Sequence, residues 1–167
     1  MNTVPSTLVI RAASARDATR LEDVRRAAFA PVFASFRSIL GDDIYNLAQA
    51  REEEVQAGYL ASLFAAESKW EVYAAERDGI VVGFVSVWLN LETAIGEIGL
   101  NAVHPDWAGE GIGTEMYRFV IERMRQAGMR VATVSTGGDP SHAPARRAYE
   151  KAGFIVGIPS IWLCQKL

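Results

Sequence analysis

The single cysteine, Cys164, excludes an internal disulfide and any zinc site built on several thiolates, and it points to a reducing, cytoplasmic compartment. Histidine is almost as scarce. His104 and His142 have no metal-ligand partner at suitable spacing, so no metal is expected. A basic excess is also missing: 17 Lys and Arg against 20 Asp and Glu leave a net charge of -3 and a pI near 5.4. Neither nucleic acid nor an anionic membrane surface is therefore an expected partner. No stretch approaches the run of about eighteen apolar residues that suggests a membrane span. The opening MNTVPSTLVIRAASARDATR lacks a basic region followed by an apolar run and a small-residue cleavage site, so secretion is not expected. With no repeat, low-complexity tract or Pro/Gly/Ser-rich linker, residues 1–167 read as one domain.

Apolar residues make up 50% of the chain and charged residues 22%, a composition that supports a packed core at this length. Leu8 to Ala12 reads as a short strand, and Ser14 or Asp17 offers an N-cap for a helix through Leu21, Val24 and Ala28. Residues 29–66 are expected to be mostly helical but irregular, mixing Phe33, Phe36 and Tyr59 with the acidic run Glu52 to Glu54. From Trp70 the pattern turns to strands: WEVYAAE, a turn at Asp78-Gly79, then IVVGFVSVWL, whose unbroken apolar character suits burial on both faces. A further strand is expected from Glu97 to Val103, ended by His104-Pro105. Met116, Phe119, Val120 and Met124 recur at helical spacing over Gly113 to Ala127, closed by Gly128. A strand RVATVS, a loop TGGDPSH, a helix APARRAYEKA stopped by Gly153 and a last strand IWLCQKL complete a mixed α/β (α+β) order.

Residues 107 to 114 read Trp-Ala-Gly-Glu-Gly-Ile-Gly-Thr, between a strand and an amphipathic helix. Such a place supplies unpaired backbone N–H groups and the positive end of a helix dipole, and glycine lets an anion come close. The spacing is not that of a dinucleotide fingerprint, and no lysine follows the last glycine as a triphosphate loop needs. On this motif alone, a tight strand-to-helix turn and a phosphate or pyrophosphate site remain equal readings.

The segment VHPDWAGEGIG followed by a helix, together with HAPARRAYEKAGF some thirty residues on, resembles the GNAT superfamily of acetyl-CoA-dependent N-acyltransferases. The resemblance runs from about Ile80 to Phe154. It implies a single domain with a central mixed, mostly antiparallel sheet flanked by helices and a strand-loop-helix cofactor site. Gly111 and Gly113 match the family's loop, whereas Ala108 stands where the family carries Arg or Gln. The resemblance implies that the N–H groups of Gly109, Glu110, Gly111, Ile112, Gly113 and Thr114 hold the coenzyme A pyrophosphate. It implies too that His142, where the family has Asn, contacts the cofactor, and that the backbone of Asn101, Ala102 and Val103 lines the acyl and pantetheine arm.

An alkyl amine with a pKa near ~10.4 is almost wholly protonated at neutral pH, so a base is useful before it can attack a carbonyl. Glu97 stands at the start of the strand leading to the loop, where many members of the family carry a catalytic glutamate; Glu92 is the weaker substitute, and a solvated strand-end charge is the rival reading. Tyr149 occupies the family's general-acid position, from which it assists departure of a thiolate; alternatively its ring only packs beside Ala145 and Phe154. Cys164 reads as a small buried hydrophobe and His104 as a turn residue. The resemblance implies acetyl transfer from acetyl-CoA to a primary amine, on a small molecule or a peptide, by direct attack. The departures at Ala108 and His142 keep a second reading open, a non-catalytic acyl-CoA-binding or sensing module of the same fold. The acceptor is expected to meet residues 29–66. The oligomeric state stays open between a monomer and a homodimer.

Overall fold

The computed structural model describes residues 7–167. Its strands are β1 (Leu8–Ala12), β2 (Trp70–Arg77), β3 (Ile80–Asn90), β4 (Ile95–Val103) and β5 (Val131–Val134), in one sheet of order β1-β2-β3-β4-β5. Neighbours from β1 to β4 are antiparallel and β5 runs parallel to β4, the mixed, mostly antiparallel sheet that was expected. β2 and β3 meet at Asp78-Gly79, with φ of 53° and 79°. Two left-handed residues in succession match the right-handed twist of a two-residue hairpin.

Burial explains the composition of β3. From Val81 to Val87 every residue is buried, because helices cover both faces. On one face α3 (Ile112–Gln126) sets Met116, Val120 and Met124 against Val82, Val85 and Val87, and α4 (Ala143–Ala152) adds Tyr149. On the other, Leu21 and Val24 of α1 (Ala18–Ala48) and Leu60 of α2 (Ala50–Ser62) pack on Val72, Ala74, Val81 and Phe84. Burying each large apolar side chain of these layers contributes about 1.5–3 kcal/mol.

The irregularity expected over 29–66 has a local cause. α1 passes Pro31 and then breaks its helical course at Gly41, with φ 74° and ψ 160°, a conformation open chiefly to glycine. The chain resumes as helix and continues into α2, so α1 and α2 together roof one face of the sheet.

Two expectations need correction. IWLCQKL does not form a strand: residues 154–167 have no regular secondary structure, and Ile155, Ile158, Ile161 and Leu163 are exposed. A short apolar run makes a strand only when an open ladder takes up its N–H and C=O groups. Here Gly157 and Pro159 break the chain just ahead of the segment, and Lys166 Nζ donates to Asp43 Oδ2 of α1 at 2.7 Å. Cys164 is consequently exposed, not buried. No helix among the described residues is long and apolar enough to cross a membrane.

Candidate functional site

β4 ends at Val103, and a 3-10 turn, Pro105–Trp107, leads to the glycine loop. His104 acts as the turn residue expected of it, its Nδ1 accepting the Asp106 N–H at 3.3 Å. Gly109 and Gly111 have φ of 84° and 82°, left-handed values that disfavour any side chain. Gly111 directly precedes α3, and no side chain caps the helix there. The N–H groups of Ile112, Gly113 and Thr114 thus meet no side-chain acceptor at the positive end of the helix. Beside Gly109 and Gly111 no heavy atom lies within 4 Å of a would-be Cβ, so the loop borders open space. Ile112 and Thr114 are themselves 2% and 7% exposed and offer an incoming anion only their backbone.

A cation does stand beside this loop, though not at 108. Arg77, from the end of β2, lies 5.7 Å from the Trp107 ring centroid and pairs with Glu110. Its Nε is buried without a hydrogen-bond partner. Nothing in the local sequence signals this contact, because β2 and the loop are thirty residues apart and meet only through the β2–β3–β4 pairing.

β5 pairs with β4 only over Ile95 to Ile98, leaving Gly99–Val103 without a strand on that side. The β3–β4 register jumps between Val85, opposite Asn101, and Val87, opposite Ile98. Ser86 therefore faces the two residues Gly99 and Leu100, and its Oγ donates to the Leu100 carbonyl at 3.0 Å. Such a bulge bends the strand and increases its twist. Glycine is needed at 99 because a Cβ would sit 2.4 Å from Trp70 Cζ3.

At the parted edge the Asn101 side chain joins two tyrosines. Tyr117 Oη donates to Asn101 Oδ1 at 2.7 Å, and Asn101 Nδ2 donates to Tyr149 Oη at 3.0 Å and to the Gly99 carbonyl at 2.9 Å. The Tyr117 and Tyr149 rings stack with centroids 4.4 Å apart, and Phe154 meets Tyr149 edge-on at 5.9 Å. Burial pushes the Tyr149 phenol above its ordinary value, opposed by hydrogen bonds with Tyr117 and Asn101. Burial, then the neighbouring Tyr149, pushes Tyr117 well up. Tyr149 thus packs against Phe154 and also has a polar neighbour in Asn101. The Asn101 side chain was not foreseen, since only its backbone was given a part.

Glu97 lines a cleft of about 750 Å³ between β4 and the α1–α2 roof. Tyr59 of α2 lines it too, its phenol raised by burial and then by the Glu97 carboxylate. The Glu97 carboxylate is partly buried and has no hydrogen bond or ion pair among the described residues. Phe33 and Phe36 of α1 and Trp70 of β2 form further walls, and Trp162 reaches in from the C-terminal segment. Glu92 lies apart, exposed in the β3–β4 connection, its N–H donating to Asn90 Oδ1.

His142 lies just before α4, with Nδ1 2.5 Å from Asp139 Oδ1 and its ring stacked on Phe36 at 5.9 Å. Asp139 also accepts from the Ser141 N–H and hydroxyl and from Ser35 Oγ. The burial of Asp139 acts against its ionisation, but bonds from Ser141 and His142 outweigh it and bring the carboxyl to about 2. One imidazole nitrogen is thus committed to a neighbour within the loop. No three metal-ligating side chains gather among the described residues.

An open helix N-terminus, a parted β4 edge and a carboxylate-bearing cleft therefore meet on one strand. The chain is 36% identical over 87 residues to a mycothiol acetyltransferase of Sanguibacter keddieii, covering 48% of this chain and 26% of that protein. It is 31% identical over 112 residues to an aminoglycoside N(6')-acetyltransferase type 1 of Klebsiella pneumoniae, covering 60% and 55%. The chain thus spans between a quarter and about half of the length of these relatives. A GNAT family acetyltransferase of Brucella melitensis, solved in complex with acetyl-CoA, superposes with a TM-score of 0.59 at 26% identity, covering 79% of this chain and 78% of that one. The family model of the GNAT acetyltransferases matches residues 35–154, and this chain belongs to that family.

Proposed function

We propose that this protein moves an acetyl group from acetyl-CoA to a primary amine by direct attack. The observation that carries the reading is the continuity of β4: its middle enters the acceptor cleft at Glu97, its open edge runs along Gly99–Val103, and its end feeds the uncapped N-terminus of α3. The residues present fit the cofactor. The N–H groups from Gly109 to Thr114 would hold the pyrophosphate, with open space for it beside the glycines. Along Asn101, Ala102 and Val103, the backbone groups that β3 does not take up would receive the extended arm and face the charge developing on the carbonyl oxygen.

The bound thioester supplies an activated acyl group; the chain's own residues manage the protons. Glu97, without a cation of its own, accepts the proton that an ammonium must lose, directly or through water. Tyr149, held neutral by burial and oriented by Asn101, donates toward the departing sulfur. A raised phenol makes that donation more uphill than for a free tyrosine, so its part is assistance. A cytoplasmic setting accords with the lone exposed thiol of Cys164.

Thiol release from acetyl-CoA across a panel of amines tests the reading, and release that does not depend on an amine rejects it. Glu97→Gln should lower kcat/KM at neutral pH by about tenfold or more. The deficit should shrink as pH rises toward the amine's own pKa of about 10.4. Because His142 is tied to Asp139, the binding-module reading keeps one specific support. Acetyl-CoA binding by calorimetry without thiol release to any amine would favour it.

A further inference from the structure

We propose that the acceptor is a diamine with an apolar body, one ammonium seated at Glu97 and the other at Glu52. This names the acceptor class for the acetyl-transfer reading and rests on it. Two carboxylates line the cleft, Glu97 from β4 and Glu52 from the first turn of α2. No Lys, Arg or His lines it with them. Neither carboxylate has a hydrogen bond or ion pair among the described residues, whereas neighbouring acids are engaged: Glu53 accepts from Tyr45 Oη, and Glu22 holds Arg25. Glu97 is partly buried, so without a cation it carries a desolvation cost that an ammonium relieves, while Glu52 is exposed at the cleft's rim and offers its charge there.

The remaining surface selects the body between the charges. Five aromatic rings contribute to the cleft, giving methylene groups apolar contact and ammonium groups π faces. Polar groups able to take hydroxyls are few, because Gln56 Oε1 already accepts from Arg25 Nη1. That leaves the Gln49 amide and the Ser135 and Tyr59 hydroxyls uncommitted in the lining. An amino sugar carries more hydroxyls than these few groups can serve, and each one buried without a partner costs about 1–3 kcal/mol. A diamine with a methylene spacer has nothing between its charges to satisfy.

The test compares putrescine and cadaverine with butylamine, pentylamine and glucosamine by thiol release, and measures calorimetric binding of the same amines to the CoA-loaded protein. The diamines should exceed the monoamines of equal length in kcat/KM by about fivefold, the scale of one exposed charge contact. Glu52→Gln should bring that ratio close to unity. Turnover of monoamines or glucosamine with no diamine preference, or an unchanged ratio in Glu52→Gln, overturns the diamine site and leaves acetyl transfer standing. Diamine binding to the CoA-loaded protein without thiol release from any amine overturns transfer and leaves the site standing. Neither binding nor release overturns both.

Discussion

Asn101 Nδ2 donates to Tyr149 Oη at 3.0 Å, so the proposed proton donor is aimed by a residue of the very strand that leads into the cofactor loop. Tyr149→Phe removes the hydroxyl and keeps the stacked ring. Turnover should fall by about tenfold or more while acetyl-CoA affinity stays within about twofold. Steady-state kinetics beside calorimetry separates the two, and unchanged turnover removes the role.

Both buried tyrosines have folded-state values above the ordinary 10.0. The fold therefore holds these protons more tightly than the unfolded chain does. Their contribution is fully present below pH 10 and is lost as pH climbs from there toward the raised values. Thermal midpoints measured from neutral to alkaline pH should drop above about pH 10. The drop should be smaller in Tyr117→Phe.

At the loop, Gly111→Val places a β-branched side chain at φ 82°, which costs roughly 1–2 kcal/mol in backbone strain alone. Acetyl-CoA binding should weaken by about tenfold or more, read by calorimetry. Arg77→Met severs the pair with Glu110 and the cation over Trp107. It should weaken acetyl-CoA binding by about threefold to tenfold, the effect of losing a fixed loop geometry.

Gly99→Ala tests the bulge. The added carbon meets Trp70 at 2.4 Å, and overpacking of this kind costs about 1–3 kcal/mol. A lowered denaturation midpoint should accompany a shift in tryptophan fluorescence. Full stability would show that Trp70 can move aside.

Trp162→Ala should raise the KM for the amine by about threefold to tenfold, the scale of one aromatic contact, and leave the KM for acetyl-CoA in place. Equal changes in both constants would speak for a general loosening.

Much of the fold was legible because its signals are local. β1 from Leu8 to Ala12 and α4 from Ala143 to Ala152 begin and end where patterning, proline and Gly153 indicated. The β2–β3 hairpin announced itself through Asp78-Gly79. What escaped depends on distant partners. IWLCQKL has the apolar run of a strand but no ladder to join, and the irregularity expected over 29–66 did not locate the break at Gly41. At the site, the loop glycines and Tyr149 were visible as motif residues. The links from Arg77 to Glu110, from Asn101 to Tyr117 and from Trp162 to the cleft join segments far apart in sequence, where spacing carries no information.

β4 is paired with β3 from end to end, but on its other edge a strand covers it only as far as Ile98. Gly96 and Ile98 answer to the interior, since a Cβ at 96 would collide with Met124 at 2.6 Å and Ile98 is 2% exposed. From Gly99 onward the outer edge answers to whatever binds there. Drift at Gly96, Ile98, Gly99 and Ala102 should be policed by folding, and drift along the open edge at Asn101 and Val103 by ligands as well. One strand then bears two kinds of constraint, the second added only past Gly99.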